Sequence, residues 1–202
     1  MIIGLVGFIG AGKGTVGELL RLNGYKQMSF AGVLKDTASI MFGWDRDLLE
    51  GDTVESRMFR ETKDDFWSDK FGYDFTPRLA LQRLGTEAGR DVFHKDIWVY
   101  ALEKRIKQHR NVVITDTRFP NEIDSIHKMG GKIVEIQRGS IPEWYMQAVM
   151  YNNGDSETKP DVHFSEWAWM GYKTDYTINN NGTMEYLEEE IELMLECLTP
   201  TK

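Results

Sequence analysis

Gly7-Phe8-Ile9-Gly10-Ala11-Gly12-Lys13-Gly14-Thr15 is the stretch that decides the fold. An apolar run, residues 2–6, precedes it, and a helical pattern over 13–22 follows. The spacing G-x-x-x-x-G-K between a strand and a helix is that of a phosphate-binding loop. Its glycines let backbone N–H groups converge on phosphate oxygens, and the helix N-terminus adds a favourable dipole. Gly10, Ala11, Gly12, Lys13, Gly14 and Thr15 are therefore expected to bind ATP, with Lys13 reaching the β- and γ-phosphates. The hydroxyl residue comes one position late: Gly14 follows the lysine and Thr15 comes next. That shift argues against a direct Thr15–magnesium bond, and Thr15 is expected to act through water or on a phosphate.

Working outward, Val112-Val113-Ile114-Thr115 is an apolar run with Asp116 at its tip. A carboxylate there can hold magnesium or orient an acceptor phosphate; the plainer reading is an N-cap for the helix that starts near Phe119. Arg118 falls on the same rim and suits phosphate through its planar guanidinium. Further strands are expected near 24–30, 132–137 and 175–178, and helices at 31–42, 96–108, after Phe119, and beyond Thr183. Strands alternating with helices predict an α/β fold, a parallel sheet in a three-layer α/β/α arrangement. Ligands of such sheets bind at the C-terminal strand ends, so the Gly7 turn, Asp116, Arg138 and the turn at Asn180, Gly182 and Thr183 should share one rim.

Two regions read differently. Residues 44–76 are polar and aromatic-rich, with the look of an insertion over a pocket. Residues 140–163 are long, polar and expected to be mobile. Between them Thr76-Pro77 starts a helix, with Thr as N-cap and Pro in the first turn. Leu81, Leu84 and Ala88 form its buried stripe. Arg83, Glu87 and Arg90, at i, i+4 and i+7, share a neighbouring face. Gly85 and Gly89 weaken a helix but let a ligand approach.

The chain has 202 residues, 41% hydrophobic and 28% charged, as expected of one globular α/β domain. A net charge of -8 argues against a polymeric nucleic-acid partner and leaves a nucleotide substrate open. One cysteine, Cys197, excludes an intrachain disulfide and fits a reducing cytoplasm; its place near an apolar stripe suggests core. The N-terminal apolar run is too short for a membrane span.

Five segments occur in order: 7–15; Phe30-Ala31-Gly32-Val33-Leu34-Lys35; Leu84-Gly85-Thr86-Glu87-Ala88-Gly89-Arg90; Thr115-Asp116-Thr117-Arg118-Phe119-Pro120-Asn121-Glu122; and His163-Phe164-Ser165-Glu166. Together they resemble the bacteriophage-type deoxynucleoside monophosphate kinases over nearly the whole chain. The Gly-Lys-Gly-Thr ending also resembles adenylate kinase and its relatives. The resemblance implies a P-loop kinase fold over 1–202, with an acceptor-binding helical region at 31–100 and a lid at 138–165. It implies ATP and magnesium, and transfer to deoxynucleoside monophosphates. Catalysis would fall to Lys13, Asp116 and Arg118. Lys35, Arg83, Glu87, Arg90 and Arg118 would line the acceptor site, with Asp116 orienting its phosphate; separately, the aromatics of this region offer a base-stacking reading, in which Trp98 is the candidate. Arg138, at the border of the lid, would bind ATP, and Asn180, Gly182 and Thr183 would hold its adenine. Thr15 and Asp116 would serve the metal, directly or through water. A homodimer and a cytoplasmic location, the host's if a phage encodes it, are further expectations. The rival readings are another small-molecule P-loop kinase, such as one for dephospho-coenzyme A, and a nucleotide-dependent switch.

Overall fold

The computed structural model describes residues 1–199, so positions 200–202 of the expected domain lie outside the described residues. Among them, five strands form one parallel sheet: β1 (Ile2–Val6), β2 (Lys26–Met28), β3 (Val112–Ile114), β4 (Lys132–Gln137) and β5 (Tyr176–Asn179), in the order β2-β3-β1-β4-β5. Ile3 pairs with Val113, Leu5 with Val134 and Ile136 with Ile178. The central strands are apolar at successive positions because both faces are covered. On one face Ile3 and Leu5 join Val16 and Leu20 of α1 (Lys13–Leu22) and Leu187, Ile191 and Met194 of α9 (Met184–Leu198). On the other, Gly4 faces α7 (Pro120–Lys128) so closely that a Cβ would sit 2.5 Å from Ile126 Cδ1. These are the three expected layers. The Thr183 hydroxyl accepts from Tyr186 N and starts α9 as anticipated.

The chain divides into two compact units: Met1–Ser29 with Glu103 onward, and Phe30–Leu102. The expected acceptor region, 31–100, falls within the second. Its helices are α2 (Phe30–Phe42), α3 (Val54–Glu61), α4 (Asp65–Phe71) and α5 (Pro77–Gln82), followed by a π-helical segment, Arg83–Phe93; α6 (Ile97–Ile106) comes next in the chain. The stretch 44–76, which had no periodic signature, thus contains two short helices. They are too brief for a hydrophobic period to show, and their caps carry the local signal. Thr53 caps α3, and Asp64 caps α4 at Trp67 N while accepting the Trp44 indole N–H at 2.6 Å. Trp44, Leu49 and Phe75 pack with Ala38, Ala80 and Leu81 as core.

Three local expectations need correction. The helix beginning at Thr76 does not stay α-helical: past Gln82 its bonding widens to a π-helix, which closes i→i+5. The buried positions become Leu81, Gly85 and Gly89, four apart, and Ala88 is exposed. With the wider turn, Arg83 and Glu87 stay on one face while a step of seven carries Arg90 off it. The glycines serve packing: a Cβ on Gly89 would meet Trp98 Cζ2 at 2.7 Å, and one on Gly85 would meet Leu34 Cδ2 at 3.0 Å. The Trp98 indole donates to the Gly85 carbonyl at 2.8 Å. Second, the stretch 140–163, read as polar and without a helix, contains α8 (Tyr145–Asn153), whose Asn152 amide donates to the carbonyls of Trp167 and Met170. Third, Cys197 is exposed, because the apolar face of α9 runs through the half-buried Leu195 and Leu198 and leaves it on the solvent side.

Replacing Trp98 with Phe removes the bond to Gly85 together with indole atoms packed on Gly89. The expected cost in chemical denaturation is about 1 kcal/mol for the bond plus a cavity contribution; no change in stability would show that neither contact supports the segment.

Candidate active site

The loop between β1 and α1 is shaped by residues the sequence had assigned to ATP. Gly12 has φ +101°, the left-handed region that favours glycine, and a Cβ there would sit 2.2 Å from Asn180 Nδ2. That amide donates to the Ala11 carbonyl at 2.8 Å, so Asn180 braces the loop from beyond β5. Gly12 offers no side chain to cap α1, which leaves the helix's first N–H groups for a ligand. Gly10, Gly14 and Thr15 are exposed, and Ala11 is buried beneath.

The rim beyond β4 and β5 is stitched by backbone and amide groups. Asn180 N donates to the Gln137 carbonyl at 2.8 Å, and Gly139 N to Asn181 Oδ1 at 2.7 Å. This sets exposed Arg138 beside the turn that carries Gly182 and Thr183. Phe8, on the loop, is enclosed edge-on by Trp144, Tyr145 and Trp169, with ring centroids 5.6–6.3 Å away. The stretch expected to form the lid is thereby packed against the phosphate loop through aromatic contacts. Sequence reading missed this set, although an aromatic inside a glycine loop was a signal.

Lys13 curls back on its own loop, donating to the carbonyls of Gly7 at 2.6 Å and Phe8 at 2.9 Å. Burial lowers its ammonium from 10.5 to about 8, helped by the positive charge of Arg118 and opposed by Glu166. Keeping it charged at neutral pH costs about 3 kcal/mol.

Arg118 donates to Glu166 Oε1 at 3.0 Å and lies 3.4 Å from Ser165 Oγ. Glu166, also missed as a site residue, belongs to the His163-Phe164-Ser165-Glu166 segment. His163 caps the short turn there, accepting from Ser165 N. Glu122 reaches back to accept from Arg118 N and Phe119 N, which starts α7 and leaves the capping role with Glu122. Asp116, half-buried, follows β3. α1 approaches the end of β3 so closely that a Cβ on Gly17 would meet Thr115 Cγ2 at 2.4 Å. The hydroxyl of Thr15 and the carboxylate of Asp116 are hard oxygen donors on these two neighbouring elements, the kind magnesium takes.

In the second unit, Lys35 is committed to Glu50, donating to Oε2 at 2.5 Å. Burial would raise the Glu50 carboxyl, but Lys35 and Arg46 outweigh it and hold it below the usual range. Arg83 stacks on Tyr73, 5.0 Å from the ring centroid, and donates to its hydroxyl. Glu87 lies with Arg83 on a cavity of about 300 Å³, which Arg90 does not line. Trp98 is half-buried under the π segment.

Fold and loop together place the chain among the P-loop kinases. A family model described as deoxynucleotide monophosphate kinase matches residues 47–191, and the chain belongs to that family. It is 31% identical over 207 aligned residues to an Acanthamoeba polyphaga mimivirus protein described as a candidate deoxynucleotide monophosphate kinase, covering 95% of this chain and 94% of that one. A 68-residue stretch is 44% identical to the deoxynucleoside-5'-monophosphate kinase of Escherichia phage T5, covering 33% of this chain and 26% of the phage enzyme. The dephospho-CoA kinase of Campylobacter jejuni is similar in structure, with 13% identity, a TM-score of 0.48 and coverage of 98% and 97%. The family match does not favour the rival substrates or a nucleotide switch. No helix among the described residues is long and apolar enough to cross a membrane.

A phosphate needs Lys13 protonated. ATP affinity should therefore hold up to about pH 8 and then fall about tenfold per pH unit. Calorimetry in two buffers of different ionisation enthalpy should show proton uptake on binding near pH 8.5. A flat affinity from pH 7 to 9.5 would remove Lys13 from phosphate binding.

Proposed function

We propose that this chain transfers the γ-phosphate of ATP to deoxynucleoside monophosphates, giving deoxynucleoside diphosphates and ADP. The observation that carries this reading is the partly buried Lys13 ammonium, held among the described residues by loop carbonyls, in a chain of the deoxynucleotide monophosphate kinase family. An anion placed at the loop would restore the charge balance that burial disturbs.

Transfer is in line, without a covalent intermediate. The acceptor is already an anionic phosphate, so no strong general base is needed, and catalysis comes from alignment and from cations facing the moving phosphoryl group. Loop N–H groups from Gly10 to Thr15 bind the donor phosphates. Lys13 exchanges the carbonyls of Gly7 and Phe8 for phosphate oxygens. Arg118 exchanges Glu166 for phosphate in the same way, which makes Glu166 a placeholder for substrate charge in the free protein. Asp116 orients the acceptor phosphate. Asp116 and Thr15 would hold magnesium, directly or through water, and that ion supplies further charge neutralisation on the phosphates. Arg138, Gly182 and Thr183 border the adenine, while Asn180 acts mainly by bracing the loop. Lys35, Arg83, Glu87 and Arg90 serve the acceptor, and Trp98 supports the segment that carries three of them. The segment 138–165 closes over bound nucleotide and excludes water. A cytoplasmic setting and a homodimer complete the reading.

The test is a coupled ADP-release assay with ATP, magnesium and each dNMP and NMP in turn. Release should require a dNMP. Lys13→Ala should lower kcat/KM by at least about a thousandfold with circular dichroism unchanged; a folded variant of near-normal activity would sink the assignment.

A further inference from the structure

The second unit carries a cavity of about 300 Å³ whose chemistry is unlike that of a phosphate site. Its walls are the rings of Phe42, Phe71, Tyr73 and Phe75, and its polar groups come from Arg83 and Glu87. The rings form a connected set: Phe71 lies 4.9 Å from Phe75 and 6.0 Å from Tyr73, and Phe42 lies 5.3 Å from Phe75. Phe71 and Tyr73 nevertheless remain 42% and 41% exposed, which leaves aromatic surface for a planar ligand. A volume at the lower end of ligand pockets suits one base rather than a whole nucleotide.

The two polar groups differ in their commitments. Arg83 is fixed by stacking on Tyr73 and by its 2.5 Å bond to the Tyr73 hydroxyl. Glu87 has no hydrogen-bond or ion-pair partner among the described residues. An apolar pocket with one fixed guanidinium and one uncommitted carboxylate selects a ligand that donates twice, side by side, next to an acceptor. Among nucleobases guanine has that edge: N1–H and the N2 amino group donate in parallel, and O6 accepts beside them. Adenine and cytosine would turn a ring-nitrogen acceptor toward the carboxylate. Thymine offers one N–H flanked by two carbonyl oxygens, so only one carboxylate oxygen is satisfied.

We propose that this cavity is the acceptor-base pocket and that Glu87 makes the enzyme prefer dGMP, with Arg83 on O6. The proposal rests on the kinase reading above and adds the base. Polar groups that a bound base covers and leaves unpaired give a hydrogen-bonding site its discrimination.

The experiment compares kcat/KM for the four dNMPs in the wild-type protein and in Glu87→Gln. Glu87 is exposed, so the substitution tests recognition rather than folding. In the wild type dGMP should lead dAMP and dCMP by about 10- to 100-fold, with dTMP between. The glutamine amide accepts once and donates once, so E87Q should cut the ratio of dGMP to dAMP by at least about tenfold, partly through a gain with dAMP. Turnover of dNMPs led by any base other than guanine, or a ratio unmoved in E87Q, would overturn this proposal and leave the kinase reading intact. Silence with every dNMP would overturn both.

Discussion

The site in the first unit is organised around one ammonium kept charged where burial opposes it. Lys13 makes no ion pair among the described residues; two carbonyls of its own loop hold it. Such an arrangement persists only if the loop cannot relax, and the surrounding structure supplies that restraint. Asn180 pins Ala11, the left-handed turn at Gly12 leaves no room for a side chain, and three aromatic rings enclose Phe8. The sheet beneath is buried on both faces, so the strand ends that carry these groups are held by packing. On the proposed reading, the energetic penalty on Lys13 prepares the free protein for an anion: the interaction it lacks is the one ATP would bring.

Arg118 shows a second version of the same principle. Here a counter-charge is present, and it comes from Glu166, whose segment is far away in sequence. The arginine is positioned from its own side by Glu122, which ties down the backbone N–H groups of Arg118 and Phe119. One carboxylate thus fixes where the guanidinium starts, and another occupies its far end, the place a competing phosphate would take on the proposed reading. Partly exposed pairs of this sort contribute little to stability, which lets Glu166 be displaced without unravelling the rim.

What the sequence disclosed follows from the range of the forces involved. The phosphate loop, the parallel strands and the Thr76 and Thr183 caps are local patterns, and each was legible residue by residue. Glu166 was not, because its meaning depends on a partner 48 positions away. The Phe8 enclosure was hidden for the same reason: Trp144, Tyr145 and Trp169 signal aromatic content in sequence, not a shared centre. The helices in 44–76 escaped because seven or eight residues do not establish a period. Cys197 shows a finer limit: it lies within the stretch of an apolar stripe but one position off its face.

The π-helical segment is the place where a local rule failed for a reason that bears on function. An α-helical reading of Arg83, Glu87 and Arg90 puts all three on one face. Gly85 and Gly89 remove the side chains that would favour α geometry, and Leu34 and Trp98 then pack where those side chains would have been. The Trp98 indole further engages the Gly85 carbonyl, so the widened turn is held by tertiary contacts that no propensity scale contains. Its consequence is a sorting of charges: Arg83 and Glu87 remain together over the aromatic cavity and Arg90 is turned away from it. π-turns are rare and often sit at functional sites. Here the widening leaves a carboxylate and a stacked guanidinium over aromatic rings and takes the neighbouring arginine off that face. On the proposed reading, that division matches a nucleotide, whose base asks for directional hydrogen bonds and whose phosphate asks for positive charge.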